Sequence, residues 1–199
     1  MATLPSEFYE RGVLEVARAL VGCTLRHGPL SGLIVETEAY HETEPACHAF
    51  VGLTARTEPL FGEPGHAYVY RSYGIHALFN AICEPAGVGA AVLIRALAPL
   101  EGIELMRARR GRDRRAGARP PTDRQLCSGP GKLTQALGIG LELNRSSLIT
   151  GPVRLEQRTR HWRESEILAG PRIGITKAAE LPWRFWVDGD VNVSGPRGS

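Results

Sequence analysis

Glu36, Glu38 and Tyr40 stand two apart in the run Ile34-Val35-Glu36-Thr37-Glu38-Ala39-Tyr40. In an extended strand, residues two apart point to the same side. The three therefore share one face, and Val35, Thr37 and Ala39 share the other. Two carboxylates side by side repel, and partial burial pushes one pKa upward. A face of Glu, Glu and Tyr suits acid–base chemistry better than it suits a core. A second run, His66-Ala67-Tyr68-Val69-Tyr70-Arg71-Ser72-Tyr73-Gly74, follows soon after. Together the two runs point to an acid–base carboxylate beside a wall of aromatic rings.

Other chemistries fit less well. Ser128-Gly129-Pro130-Gly131-Lys132-Leu133 hints at a phosphate loop, but that motif needs Gly where Leu126 stands and Ser or Thr where Leu133 stands. His41-Glu42 begins a zinc-protease pattern, but Pro45 occupies the place of the second histidine. His41, Glu42, Glu44, Cys47 and His48 carry ligand-type side chains, yet acidic, proline-containing loops are more often simply solvated, so no metal is expected.

The elements that must position these residues follow from periodicity and turn chemistry. Residues 6–21 have a helical apolar side formed by Phe8, Val13, Val16, Ala17 and Leu20, with Gly22 to end it. Residues 23–26 and 33–40 are predicted strands, joined by the turn-forming His27-Gly28-Pro29 as a hairpin. Residues 41–66 form a long loop rich in Pro, Gly, Thr and Glu, of the kind that is often functional. Strands are predicted at 67–72, 77–83 and 90–97, and a helix at 100–110. Ser128 is placed to cap a short helix through Leu137 with Pro130 in its first turn. Residues 153–157, 172–175 and 185–187 are further predicted strands, and 194–199 a loose tail. Hairpins mixed with separate helices favour an α+β fold over a doubly wound one.

At 199 residues, with 43% hydrophobic and 23% charged residues, the chain has the length and composition of one globular domain. It has no apolar run long enough to span a bilayer and no basic-then-apolar leader, so a cytoplasmic location is expected. The four cysteines, Cys23, Cys47, Cys83 and Cys127, are widely spaced, which argues against a zinc ribbon or a disulfide framework. Net charge is only +3, but Arg107, Arg109, Arg110, Arg112, Arg114, Arg115, Arg119 and Arg124 crowd one segment. Such a cluster fits phosphate contact, and it also fits a solvated helix end and loop.

Blocks spread along nearly the whole chain, in order, resemble the alkyladenine (3-methyladenine) DNA glycosylase family. They are Val35-Glu36-Thr37-Glu38-Ala39-Tyr40, Cys47-His48-Ala49, Gly65-His66-Ala67-Tyr68-Val69-Tyr70 with Tyr73-Gly74, Val92-Leu93-Ile94-Arg95-Ala96-Leu97, Pro99-Leu100-Glu101-Gly102, Leu126-Cys127-Ser128-Gly129-Pro130-Gly131-Lys132-Leu133 and Arg172-Ile173-Gly174-Ile175. The resemblance implies a single α+β domain with a mostly antiparallel, curved sheet and surrounding helices. It implies removal of alkylated or deaminated purines from duplex DNA by hydrolysis of the N-glycosidic bond. Because a base inside a duplex is out of reach, it must be flipped into a pocket.

By the same resemblance, Glu38 is the carboxylate that activates water, and Arg95 helps hold that water. The positive charge of Arg95 is expected to keep Glu38 ionised. Glu36 takes a supporting role. Tyr40, His48 and Tyr70 match the positions that sandwich the base, where aromatic faces attract cationic methylated purines. Asn80 matches a pocket-floor residue that discourages guanine, and Tyr73 an intercalating wedge that fills the gap left by the base. Lys132 matches a contact to the DNA backbone. No lysine falls where a Schiff-base nucleophile would stand, so the expected product is an abasic site in an uncut strand. No cofactor is implied, and the expected partner is damaged duplex DNA bound by a monomer. The chain differs from the usual family pattern at Cys47, Thr57 and Leu60, and beside the wedge at Ile75, His76 and Leu78.

Two other functions use some of these residues. A nucleic-acid-binding module would keep the arginine surface but has no need of Glu38 with Arg95. A hydrolase of free nucleosides would need neither the arginine track nor Tyr73.

Overall fold

A computed structural model describes residues 2–112, 118–158 and 161–195. Its frame is an eight-stranded antiparallel sheet. Strands β1 (Thr24–His27) and β2 (Leu30–His41) form the expected hairpin around Gly28-Pro29, with Gly28 at φ 57° supplying the left-handed turn residue. A second hairpin joins β3 (Ala67–Ser72) to β4 (His76–Ile82), and β5 (Ala90–Glu101) lies between β4 and β2. β6 (Val153–Glu156) lies on the outer side of β1. β7 (Ile167–Gly170) pairs with β8 (Arg184–Val187), and β8 lies against the Glu36–Glu38 part of β2. One edge of β2 is thus shared, β1 taking its first half and β8 its second.

The two faces of β2 divide as alternation predicts. Val35 and Ala39 enter the main apolar cluster with Val16, Ala17 and Leu20 of the amphipathic helix α2 (Val13–Leu20). The Thr37 hydroxyl on that face donates to the carbonyl of Ala17 at 2.8 Å. The predicted helix over 6–21 is in fact two, a single turn α1 (Ser6–Tyr9) and α2. They are separated where Gly12 takes an extended ψ of 141°.

Behind β4 and β5 lie α4 (Asp123–Cys127) and α5 (Pro130–Leu137), and α3 (Ile103–Gly111) packs against both helices. The Thr134 hydroxyl fastens α5 to β4 by donating to the carbonyl of Ala77 at 2.7 Å. The sequence reading misses α4, which is closed at its N-terminus by reciprocal Thr122 and Gln125 bonds. Ser128 does not cap α5: it ends α4, and Gly129, at φ 151°, occupies the cap position.

Residues 172–175 are not a strand. There the N–H of Ile173 donates to a side chain instead of a ladder, and Gly174 takes a left-handed φ of 78°. All four cysteines are free and buried. Among the described residues, no helix is long and apolar enough to cross a membrane. Arg114, Arg115 and the tail from 196 onward lie outside the described residues.

Candidate active site

The carboxylates sit where the β2–β5 ladder is irregular. Ile34 opposes Leu97, Glu36 opposes Ala96, and Thr37 opposes Ile94, so Val35 and Arg95 each stand without an opposite residue. Bulges of this kind re-aim side chains. Here the result is that Arg95 reaches both carboxylates: Nη1 lies 3.3 Å from Glu38 Oε1 and Nε 3.2 Å from Glu36 Oε1. The Nε contact is an ion pair without hydrogen-bond geometry.

The two glutamates, both fully buried, have different surroundings. Glu36 Oε1 accepts from Arg184 Nε at 2.6 Å, and Oε2 accepts from the N–H of Ser194 at 2.7 Å. It is enclosed by fixed partners. Glu38 Oε1 accepts from the N–H of Ile173 at 2.7 Å and Oε2 from the Tyr40 hydroxyl at 2.8 Å. Burial pushes the Glu38 carboxyl above the ordinary range; Arg95, the Ile173 N–H and Tyr40 pull the other way, and the Glu36 charge adds a small upward push. Arg95 acts in the expected direction, toward the ionised form, and burial acts against it. Loss of water around a carboxylate in a closed site outweighs one cation at 3.3 Å.

Above Glu38 lies a cavity of about 600 Å³, within the range of small-ligand sites. Its lining includes Tyr40, Arg95 and Ile173, the three residues that contact Glu38. The carboxylate thus lies one layer beneath the cavity. His48 and Tyr70 also line it, along with Tyr68 and Asn80. His48 and Tyr70 meet edge to face, with ring centroids 4.6 Å apart and planes at 73°. Tyr68 and Tyr70, neighbours on one face of β3, stack at 5.3 Å. Asn80 Nδ2 donates to the carbonyl of Tyr68 at 3.0 Å, so this residue serves the sheet as well as lining the cavity.

Tyr73 forms the tip of the β3–β4 hairpin. It is 88% exposed, it lines the cavity rim, and it adopts a left-handed φ of 49° followed by Gly74 at 71°. A left-handed φ is uncommon for a tyrosine. Ile75, beside it, is also exposed. Across the rim, Gly129–Lys132 at the start of α5 and Arg110 of α3 complete the lining. Lys132 Nζ donates to the carbonyl of Ser128 at 3.3 Å. The arginine cluster is divided. Arg107 binds the carbonyl of Pro121 and the carboxylate of Asp123, Arg109 binds the carbonyl of Ala136, and Arg119 and Arg124 are exposed.

Sequence reasoning brings Glu38, Arg95, Tyr40, His48, Tyr70, Asn80, Tyr73 and Lys132 to the site, and all of them lie in or around one cavity. It gives no role to Arg172 or Ile173. Arg172 pairs with Glu44 at 2.6 and 3.0 Å, donates to the carbonyl of Ala39, and lies 4.6 Å over the Tyr40 ring. It therefore holds both the Tyr40 wall and the loop that leads to His48. The Arg172-Ile173-Gly174-Ile175 block was visible in the sequence, but a backbone N–H serving as a side-chain partner leaves no compositional signal.

The loop residues with ligand-type side chains are engaged separately. Glu44 binds Arg172, Glu42 accepts from the N–H of Gly89, and His41 contacts Glu84. Among the described residues, no group of three or more His, Cys, Asp or Glu is arranged to hold a metal ion.

Residues 7–191 match the family model described as methylpurine-DNA glycosylase. A protein of Rhodopseudomonas palustris strain HaA2 is 52% identical over 193 residues, covering 97% of this chain and 90% of the relative. One of Granulibacter bethesdensis is 51% identical over 197 residues, covering 98% and 89%. One of Nitrosospira multiformis is 46% identical over 192 residues, covering 96% and 94%. All three bear the name "Putative 3-methyladenine DNA glycosylase". With a buried carboxylate beneath an aromatic cavity and a family match over nearly its whole length, the chain belongs to the methylpurine-DNA glycosylase family, hydrolases that act on N-glycosyl bonds in DNA.

Proposed function

We propose that the protein flips alkylated or deaminated purines out of duplex DNA and hydrolyses their N-glycosidic bond, leaving an abasic site. The observation that carries this reading is the position of Glu38, directly beneath the cavity, hydrogen-bonded to Tyr40 and Ile173 of its lining and ion-paired with Arg95. The carboxylate takes a proton from a water. The water oxygen bonds to C1′ of the sugar as the bond to the base breaks, and the bonding pair leaves with the base. Positive charge developing on the sugar is stabilised by the carboxylate. A carboxyl with a raised pKa is a better proton acceptor near neutral pH. The concave aromatic lining from Tyr40, His48 and Tyr70 receives the base, with Asn80 at its floor.

The exposed Tyr73 tip supports the wedge role, since a planar side chain inserted in the stack offsets part of the unstacking cost. Among the described residues, Lys132 is the only lysine in the cavity lining, and it sits on the rim, bonded to Ser128. This supports a hydrolytic, monofunctional reaction and a backbone contact for Lys132. On this reading the enzyme works as a monomer on DNA at the nucleoid, in the cytoplasm.

The test uses duplex oligonucleotides carrying 7-methylguanine, hypoxanthine or ethenoadenine, with abasic sites revealed by alkali. Glu38→Gln is expected to slow base release by about 10²-fold or more, the range for a lost general base. Equal release by wild type and Glu38→Gln would refute the assignment.

A further inference from the structure

His48 stands at the start of a 3₁₀ turn (His48–Val51) and lines the cavity. Its two ring nitrogens have different neighbours. Nδ1 lies 3.1 Å from the Tyr68 hydroxyl, and Nε2 lies 3.4 Å from Nη2 of Arg56, which also lines the cavity. A guanidinium has five donors and no acceptor, and it does not lose its proton in a protein. Facing it, Nε2 can only accept. A neutral imidazole carries a single N–H, so that hydrogen is on Nδ1 and is donated to the Tyr68 oxygen. The Tyr68 hydroxyl hydrogen is then not used toward His48.

We propose that Arg56 is a positioning residue that fixes His48 as the neutral imidazole protonated on Nδ1, so that the cavity presents an uncharged wall to a cationic purine. This rests on the reading of the cavity as the base-binding site. Burial is the larger cause and Arg56 the second of a His48 pKa held below the ordinary range, which agrees with the geometry. The other titratable groups around His48 are Tyr68 and Tyr70 of β3 and the adjoining Cys47. Burial raises all three, Tyr70 to about 12 and Cys47 to about 11, so they stay neutral where His48 titrates. Arg56 is therefore the charge that governs this ring. A protonated His48 would repel a methylated, positively charged base and would lose the Arg56 contact.

The test reads the ring directly. In protein labelled with ¹⁵N at histidine, long-range proton–nitrogen spectra distinguish the two tautomers and follow titration, and the His48 signals are identified by their loss in His48→Gln. Wild type is expected to show a protonated Nδ1 and a bare Nε2 through neutral pH. In Arg56→Ala both tautomers should appear, and the titration midpoint should rise by roughly half to one pH unit. The acid limb of 7-methylguanine release, measured in single turnover, should move by the same amount. That corresponds to roughly threefold to tenfold slower release on the limb. Arg56→Lys should restore the midpoint, and Arg56→Gln the tautomer without the midpoint.

An unchanged His48 tautomer and midpoint in Arg56→Ala would overturn the proposal. If that variant instead showed only weaker duplex binding with a shallower salt dependence, Arg56 would be a phosphate contact. The spectra need no substrate. Failure of the wild type to release any damaged base would count against the cavity reading, while the coupling of Arg56 to His48 would still be decided by the spectra.

Discussion

Two glutamates two residues apart do different jobs because their partners differ. Glu36 is held by Arg184, Arg95 and the Ser194 N–H, whereas Glu38 is ion-paired with Arg95 alone and accepts from the Ile173 N–H and a tyrosine hydroxyl, and burial prevails. An unfolded glutamate titrates at about 4.3, and the native Glu38 pKa lies above its ordinary value. Between the two values the native state holds a proton that the unfolded chain has shed. Stability therefore falls as pH rises through that window and stays lowered above it. Glu38→Gln removes this cost. Its melting temperature should exceed that of wild type at pH 8, by the order of a few degrees, and the gap should close as pH falls toward the unfolded value. Calorimetry from pH 4 to 8 checks this, and a gap that widens at low pH would contradict it. Arg184→Met should do the opposite. It leaves Glu36 buried with Arg95 beyond good hydrogen-bond geometry, and losing one partner of a buried pair costs about 3–5 kcal/mol. Urea unfolding would measure the loss.

At the scale of elements, the site depends on irregularities in otherwise ordinary strands. The double bulge turns Arg95 toward both carboxylates, and the left-handed tip of the β3–β4 hairpin projects Tyr73 into solvent. Because Tyr73 is 88% exposed, Tyr73→Ala should leave the unfolding midpoint almost unchanged. It should slow base release from duplex much more than from single-stranded oligonucleotides, since only the duplex requires the gap to be filled. Equal slowing on both substrates would argue against the wedge. The strands themselves were legible from the sequence: the β1–β2 hairpin, β3, β4 and β5 fall within a few residues of their predicted places. The bulges were not, because a bulge is a mismatch between two strands and belongs to neither sequence alone. Residues 172–175 were read as a strand for a related reason. Their apolar alternation is real, but their backbone is spent on Glu38.

For the whole molecule, a net charge of +3 understates the positive rim formed by Arg56, Arg71, Arg110 and Lys132 around the cavity. Binding to duplex should therefore weaken steeply with salt. Lys132→Gln should reduce the slope of log affinity against log salt by about 1, as expected for one lost phosphate contact. Fluorescence anisotropy at several salt concentrations would show it, and an unchanged slope would remove Lys132 from the backbone track.

The sequence by itself determined the family, the α+β class with its β1–β5 strands, and which residue types meet at the cavity, because these are carried by local alternation and by motifs in fixed order. Only the tertiary structure decided which carboxylate is enclosed by arginines and which is left beneath the cavity. It also decided that Arg172 and the Ile173 N–H brace Tyr40 and Glu38, and that Arg56 faces His48. These pairings join residues far apart in the chain or depend on the direction of a single side chain. They exist only once folding has removed water and set the distances at which one charge outweighs another.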